Sequence, residues 1–403
     1  MRDMSPVAHD STSRPRLRPG LAAQPDGDHI VVHDPYRVAG PPVVVTRTGF
    51  ELLRHFDGRT SLADLAGAVN PADPPVAALA TLADALEKGR FLDGPAFQQF
   101  LIQPIRPSVC IGVYPAEPVP FHITIQNLFT GQNGPGLPSA GLVTRPVRGV
   151  LVPHMDFTRG NVTYGYGFKE LIERTDANLF VILATSHYSH ARFSLTRMDY
   201  ATPLGTVETD RRSVDRIAAL YGDGVYSDPV AHFPEHSIEL EVVILHAMRE
   251  DRPFRIVPLL VGSFGDCIRD GTEPSEKPDI ARMVEVLRRI EAEAGEPVCY
   301  LVSGDLAHIG PKFGDPDPVA DQVLSVSRRG DERILQAVKA ADPAAYFQAV
   351  LAEQDRRRIC GFPPTWLALS VARPCAGRVL HYQQFVHPEG FESVSFAAAA
   401  FDT

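Results

Sequence analysis

The sequence predicts an α/β protein: a mixed, largely parallel central sheet flanked by helices, preceded by a small winged-helix-like domain. Three observations carry this expectation. Four hydrophobic runs, Val147 to Pro153, Phe180 to Ala184, Phe254 to Val261 and Val298 to Ser303, are continuous in Val, Ile and Leu and do not alternate. Such runs read as strands buried on both faces, hence parallel strands under helices. From Arg106 onward, strand-like and helix-like segments alternate to the end of the chain. Finally, each run leads into a polar cluster, and three of these clusters hold histidine. Ligands of such sheets bind beyond the carboxyl ends of the strands, so imidazoles gathered there point to a metal or proton-transfer site.

Length and composition set limits. With 403 residues the chain is long for one core, so two domains are expected. Net charge is −10 without a Lys/Arg-rich run, which argues against nucleic acid or an anionic membrane as partner. No apolar stretch approaches ~18 residues, so no membrane-spanning helix is expected. The opening MRDMSPVAHDSTSRPRLRPG is polar and lacks the apolar centre of a secretory signal. Cys110, Cys267, Cys299, Cys360 and Cys375 are scattered and form no CxxC pair. That usage suits a reducing cytoplasm better than a disulfide framework or a zinc knuckle.

In chain order, residues 1–28 are rich in Pro, Arg, Ser and Asp and are expected to be flexible. Residues 29–98 read as a compact module. His29 to Arg37 and Pro42 to Thr46 are its two strands. Helices follow from Thr48 to the turn Asp57-Gly58, over Thr60 to Ala66, and from Pro75 to Gly89, and Phe91-Leu92 returns as a strand. The second and third helices carry too few basic residues to neutralise phosphates. Residues 93–105 read as a linker, with a proteolytic site expected between about 93 and 110. Within 106–403, Gln126 to Thr144 reads as a loop because it is rich in Gly, Pro, Asn and Gln. The last strand-like segments are Val379 to Phe385 and Phe391 to Phe396, followed by an Ala-rich tail.

The chemistry-bearing segments lie at the ends of these elements. His154 closes the first run and is followed by Gly160, Tyr164, Gly165 and Tyr166, which would offer close backbone approach and an aromatic wall. Taken alone, His154 is better explained as a core histidine bonded to a carbonyl. The second run ends in Ser186-His187-Tyr188-Ser189-His190. In an extended segment His187 and His190 point oppositely, so His187, nearer the strand, is favoured. Glu235 and His236 open an amphipathic helix that runs to about Arg249. There the helix dipole favours carboxylates and a neutral imidazole, able to bind metal or act as a base. Glu239 shares a face with both of them. Asp305 and His308 follow the fourth run among small residues. Cys360 precedes a glycine and a helix start, where a thiolate would be stabilised; a buried inert thiol is the competing reading.

These segments, in this order, resemble the Memo family over about residues 106–403. VPHMDF stands where the family has Pro-His-Ala-Gly, TSHYSH for Ser-His-His, EHSIELE for Glu-His-Ser-Ile-Glu, SGDLAHIG for Ser-Ser-Asp-x-x-His, and RRICGFPP for its Cys-Gly turn. The resemblance implies a fold like class III extradiol dioxygenases, non-haem iron enzymes that open catechol rings. It also implies membership of an AmmeMemo and radical SAM system, as its protein B. The LLRHFDGRTSLADLAGAV stretch resembles the PqqD-like peptide-recognition domains that accompany radical SAM enzymes. Three departures from the family pattern stand out. Met155 and Asp156 add bulk and charge beside His154, Tyr188 replaces a histidine, and Ala307 stands where the resemblance implies a third, cysteine, metal ligand.

Two functions are therefore expected from this chain. The first is a non-haem metal-dependent redox or oxygenase-type protein, with His154, His187 and His308 as metal ligands. Its catalytic residues would be His236, Glu235, Asp305 and Cys360. The metal is iron, or copper or zinc, weakly bound because two imidazoles alone hold it poorly. Asp305, His308, Glu235 and Cys360 are the candidates to complete the site, with Asp305 or His308 favoured. The alternative is a non-catalytic protein that holds a peptide or small molecule for a radical SAM partner. In either case His154, His187 and His236 should converge in one cleft.

Overall fold

The computed structural model describes residues 8–68, 75–139, 145–249 and 251–403. The chain divides into two compact units, Met1–Pro104 and Ile105–Thr403.

In the first unit, β1 (Ala22–Asp26), β2 (His29–His33) and β3 (Val43–Thr46) form an antiparallel sheet in that order. Helices α1 (Arg47–Leu53), α2 (Leu62–Ala68), α3 (Val76–Lys88) and α4 (Pro95–Leu101) follow. Three expectations change here. Of the segment expected to be flexible, residues 1–7 lie outside the described residues, but 8–28 are built into the unit. Arg18 is buried against Asp34, its amide donates to Phe91 O at 3.0 Å, and Leu17 N donates to Phe56 O at 2.8 Å. The expected return strand at Phe91-Leu92 reduces to one bridge between Leu92 and Leu17. The expected linker holds α4, anchored because buried Glu87 accepts from Ala96 N at 2.6 Å. Gly94 is needed there: a Cβ would lie 2.0 Å from Glu87 Oε2.

The second unit opens with β4 (Ile105–Arg106), α5 (Pro118–Thr130), β5 (Val147–Val152), α6 (Phe157–Gly160), α7 (Val162–Arg174) and β6 (Leu179–Thr185). Next come β7 (Phe193–Leu195), β8 (Asp199–Thr202), β9 (Gly205–Thr209), α8 (Arg211–Tyr221), α9 (His236–Met248) and β10 (Arg255–Val261). The rest is α10 (Gly265–Asp270), α11 (Pro278–Glu293), β11 (Val298–Ser303), β12 (His308–Ile309), α12 (Asp321–Lys339), α13 (Pro343–Leu351), α14 (Phe362–Ala372), β13 (Ala376–Val386) and β14 (Ser393–Asp402). The sheet order is β12-β14-β5-β11-β6-β10-β9-β8-β4, and β5, β11, β6 and β10 run parallel at its centre. All four expected runs are these central strands.

Their side chains alternate between two cores. On β6, Leu179, Val181 and Leu183 enter one cluster, and Phe180, Ile182 and Ala184 the other. Each large side chain fully buried on either face contributes about 1.5–3 kcal/mol. The registers bring the carboxyl ends level: Ser303 lies opposite Val152 on one side and Ala184 on the other, and Val261 opposite Thr185. The polar clusters therefore share one edge.

Other differences from expectation have local causes. Gln126 to Thr130 belong to α5 and not to the loop, since Phe121, Ile125, Leu128 and Phe129 form its buried stripe; residues 140–144 of that loop lie outside the described residues. The Ala-rich tail is part of β14, with Ala399 opposite Leu151 and Ala400 opposite Val150. Its small side chains let α7 approach, and a Cβ on Gly167 of α7 would already stand 3.6 Å from Ala398. Gly165 likewise serves packing and not a ligand, since a Cβ there would meet Leu128 O of α5 at 2.2 Å.

Candidate metal centre

The site is assembled from five segments at the carboxyl edge of β5, β6 and β11. His154 follows β5 and His187 follows β6, while His236 is the first residue of α9. Their rings converge as expected. His154 meets His187 at 5.0 Å and His236 at 5.3 Å, both edge-on, and His187 stacks on His236 at 4.7 Å. Asp305 and Cys360 complete the group from the far side. Cys360 Sγ lies 3.3 Å and Asp305 Oδ2 3.6 Å from His154 Nε2. Two donor sets are close enough to share an ion: His154, His187 and His236, and His154, Asp305 and Cys360.

Glu235 organises the open side of the site. It is buried at the N-cap of α9, where Oε1 accepts from His236 N at 3.0 Å and Ser237 N at 3.2 Å. The same carboxylate takes His187 N at 2.7 Å and faces His187 Nδ1 at 2.9 Å. That bond fixes the ring and leaves Nε2 for the cleft, the usual way a carboxylate prepares a metal-binding imidazole. Burial opposes ionisation of Glu235, but His187, His236 and the backbone amides outweigh it and hold the carboxyl well below its ordinary range. Burial also disfavours a proton on His187, yet Glu235 prevails and raises its proton affinity.

The buried side is held by hydroxyls and close backbone. Ser237 Oγ donates to Thr185 O and Ser303 Oγ to Ser237 O, each at 2.7 Å, tying α9 to β6 and β11. Ser303 Oγ also faces His154 Nδ1 at 3.4 Å, turning Nε2 inward. Asp305 approaches Cys360 because two glycines cross: a Cβ on Gly304 would lie 2.5 Å from Gly361 Cα, and Gly361 N donates to Asp305 O at 2.8 Å. Burial, reinforced by His187, pushes the His154 pKa well down, and burial with both neighbouring imidazoles takes His236 to about 3, so both rings are neutral donors near neutrality. Burial raises Asp305 to about 6, and its Oδ2 has no hydrogen-bond partner although the residue is 1% exposed.

Several sequence expectations are redirected. Cys360 is no stabilised thiolate: burial, then Asp305, push its pKa well above the ordinary thiol value. His308 stands outside both donor sets, its Nδ1 facing Leu306 O at 3.1 Å and Arg358 O at 3.0 Å. Ala307 is buried in the hydrophobic core and offers no ligand atom, while a thiol reaches the group from Cys360. Glu239 turns away to Arg106, Tyr114 and the Cys110 amide, and α9 is not amphipathic, since Ser237 to Leu245 are all buried. Tyr164 donates to Met155 O and Tyr166 to Asn133 O, so neither forms a wall of the site. Met155 packs on Val394 and Phe396, and Asp156 caps α6, so both leave the cleft clear. His190 is exposed.

One residue escaped the sequence reading. Glu241 is fully buried on α9, neither carboxyl oxygen has a hydrogen-bond partner among the described residues, and burial raises its pKa well above the ordinary carboxylate range against the opposing effect of the Ser303 hydroxyl. The signal available was a carboxylate within the apolar run from Ile238 to Leu245.

The chain is similar in sequence to several known proteins. A MEMO1 family protein of Aquifex aeolicus is 26% identical over 261 residues, spanning 63% of this chain and 63% of its own length. A MEMO1 family protein of Methanothermobacter thermautotrophicus is 26% identical over 271 residues, 66% of this chain and 87% of that one. Among solved structures, the uncharacterized protein JW3007 of Escherichia coli K12 aligns with a TM-score of 0.31 at 13% identity, over 57% of this chain and 87% of its own. The family profile described as Memo-like protein matches residues 106–401, and the chain belongs to that family.

Proposed function

We propose that the cleft is a non-haem transition-metal centre of a redox or oxygenase-type protein that acts on a small molecule. The observation carrying this reading is the unpartnered, buried Oδ2 of Asp305, aimed at a group that already holds neutral imidazoles and a thiol. A buried carboxylate oxygen without a partner is costly, and a cation shared with His154 and Cys360 removes that cost. The donor chemistry fits: imidazole with carboxylate suits iron, and a thiol extends the choice to copper or zinc. His154 would hold the ion, either with Asp305 and Cys360 or with His187 and His236. Such an ion would supply Lewis-acid or one-electron chemistry beside a bound substrate.

The chain's own residues do the rest. Glu235 fixes the His187 ring and keeps negative charge next to it. Ser303 orients His154. His236, neutral and 36% exposed in its side chain, is placed to take a proton from a ligand entering the cleft. A ligand would enter on the side of His187 and His236, whose side chains are the exposed ones of the cluster. Radical SAM and AmmeMemo-system proteins, as the family resemblance implies, would be the setting for this activity.

The experiment is metal analysis of freshly purified, reduced protein. We expect bound iron, copper or zinc in wild type and its loss in His154→Ala, with His187→Ala losing it as well if the imidazole group holds the ion. If wild type holds none above background, the enzyme reading fails and a small-molecule or peptide-binding protein takes its place.

A further inference from the structure

Beside His187 and Cys360 lies a cavity of about 230 Å3, reached from the ends of β6 and β10 and closed by the turn before α14. That is smaller than the ~300–1,000 Å3 of pockets for drug-sized ligands, so its occupant is small. One wall is aromatic: Phe264 meets Phe362 edge-on at 5.8 Å and Trp366 at 6.0 Å. Two charged lining residues are already matched. Arg358 has its guanidinium 2.6 and 3.3 Å from Asp315, and His187 faces Glu235. Asp355 is not matched. Its Oδ1 accepts from Ile359 N at 2.7 Å, but among the described residues no cation stands within ion-pair distance of it. Partial burial of such a carboxylate on an apolar wall is unfavourable, and burial raises its pKa to about 6. The backbone nevertheless holds it there: Gln354, Asp355 and Arg358 have φ of 53°, 48° and 55°, left-handed values that non-glycine residues rarely adopt. Strain of this kind gathers where a site needs it.

We propose that this cavity binds a small organic cation, a primary amine on an apolar body, with its ammonium on Asp355 and its other end at His187 and Cys360. Arg357 and Arg358 act on Asp355 only from beyond ion-pair distance, so the ammonium supplies the direct partner that this carboxylate lacks, and the aromatic wall takes the body. This identifies the substrate class of the metal centre and rests on that reading for the ligand's fate, but not for its binding.

The test is calorimetric titration of the full-length, metal-free protein with phenethylamine and with 2-phenylethanol, which has the same body without the charge. We expect the amine to bind at least about tenfold more tightly, the worth of one charge-assisted hydrogen bond. Asp355→Asn should erase the preference while keeping an oxygen for the Ile359 amide, and Asp355→Glu should retain it. Equal binding of the two probes, binding of neither, or a preference surviving in Asp355→Asn overturns the proposal. A protein that takes up no metal yet prefers the amine overturns the metal reading and leaves the cavity assignment standing.

Discussion

The two halves of the histidine cluster are built differently. His154 is 3% exposed and Asp305 1%, with backbone and hydroxyls packed around them. His187 and His236 have side chains 32% and 36% exposed and share one buried carboxylate. On the closed side burial sets the charge: His154 stays neutral, Cys360 stays a thiol and Asp305 rises to about 6. On the open side Glu235 raises the proton affinity of His187 against burial, while at His236 burial and the neighbouring imidazoles still prevail. One edge of one sheet thus offers donors prepared by desolvation beside a donor prepared by a neighbouring charge.

That contrast breaks most sharply at His154, the residue common to both donor sets. Loss of an outer partner of a metal ligand typically costs ~10–100-fold in affinity, and loss of the ligand itself costs more. We therefore expect His154→Ala to lower metal affinity by more than about 100-fold. Comparing Cys360→Ala with His236→Ala then tells which half supplies the third donor: the larger loss in competition titrations names it. Next in size is Glu235→Gln. Gln can still cap α9 through its carbonyl oxygen but carries no charge for His187. Metal affinity should fall by ~10–100-fold, and NMR titration should show His187 losing its proton at lower pH than in wild type. An unmoved His187 titration would mean that Glu235 serves only as a cap.

The reach of sequence reading follows the same physical division. The four central strands were legible because their runs are dense in Val, Ile and Leu without a strict apolar-polar alternation, and parallel registers then oblige His154, His187 and Asp305 to meet at one edge. Glu235 and His236 were legible as a helix start. What could not be read were contacts made by chain segments far apart in sequence. Glu239 looks like a partner of His236 until Arg106 arrives from 133 positions away. Cys360 looks like a helix-start thiolate until the Gly304–Gly361 crossing buries it beside Asp305. The alanines of β14 have little strand propensity of their own, and only the closeness of α7 explains them.

The smallest effect concerns Glu241, which carries the logic of the closed side furthest. Its pKa is raised in the folded protein, so between its unfolded value of about 4.3 and the folded value the native state binds more protons than the unfolded state. Stability contributed by this group is therefore present at low pH and declines as pH rises, by at most ~1.4 kcal/mol per pH unit. Glu235 has the opposite sign: its depressed pKa gives stability present above the unfolded value and lost as pH falls through the folded one. Glu241→Gln keeps the shape and removes the titration. Urea denaturation at pH 5 and pH 7 should show the variant gaining on wild type as pH rises. If the difference between them does not change with pH, the Glu241 carboxyl has found a partner for its ionised form and burial does not govern this half of the site.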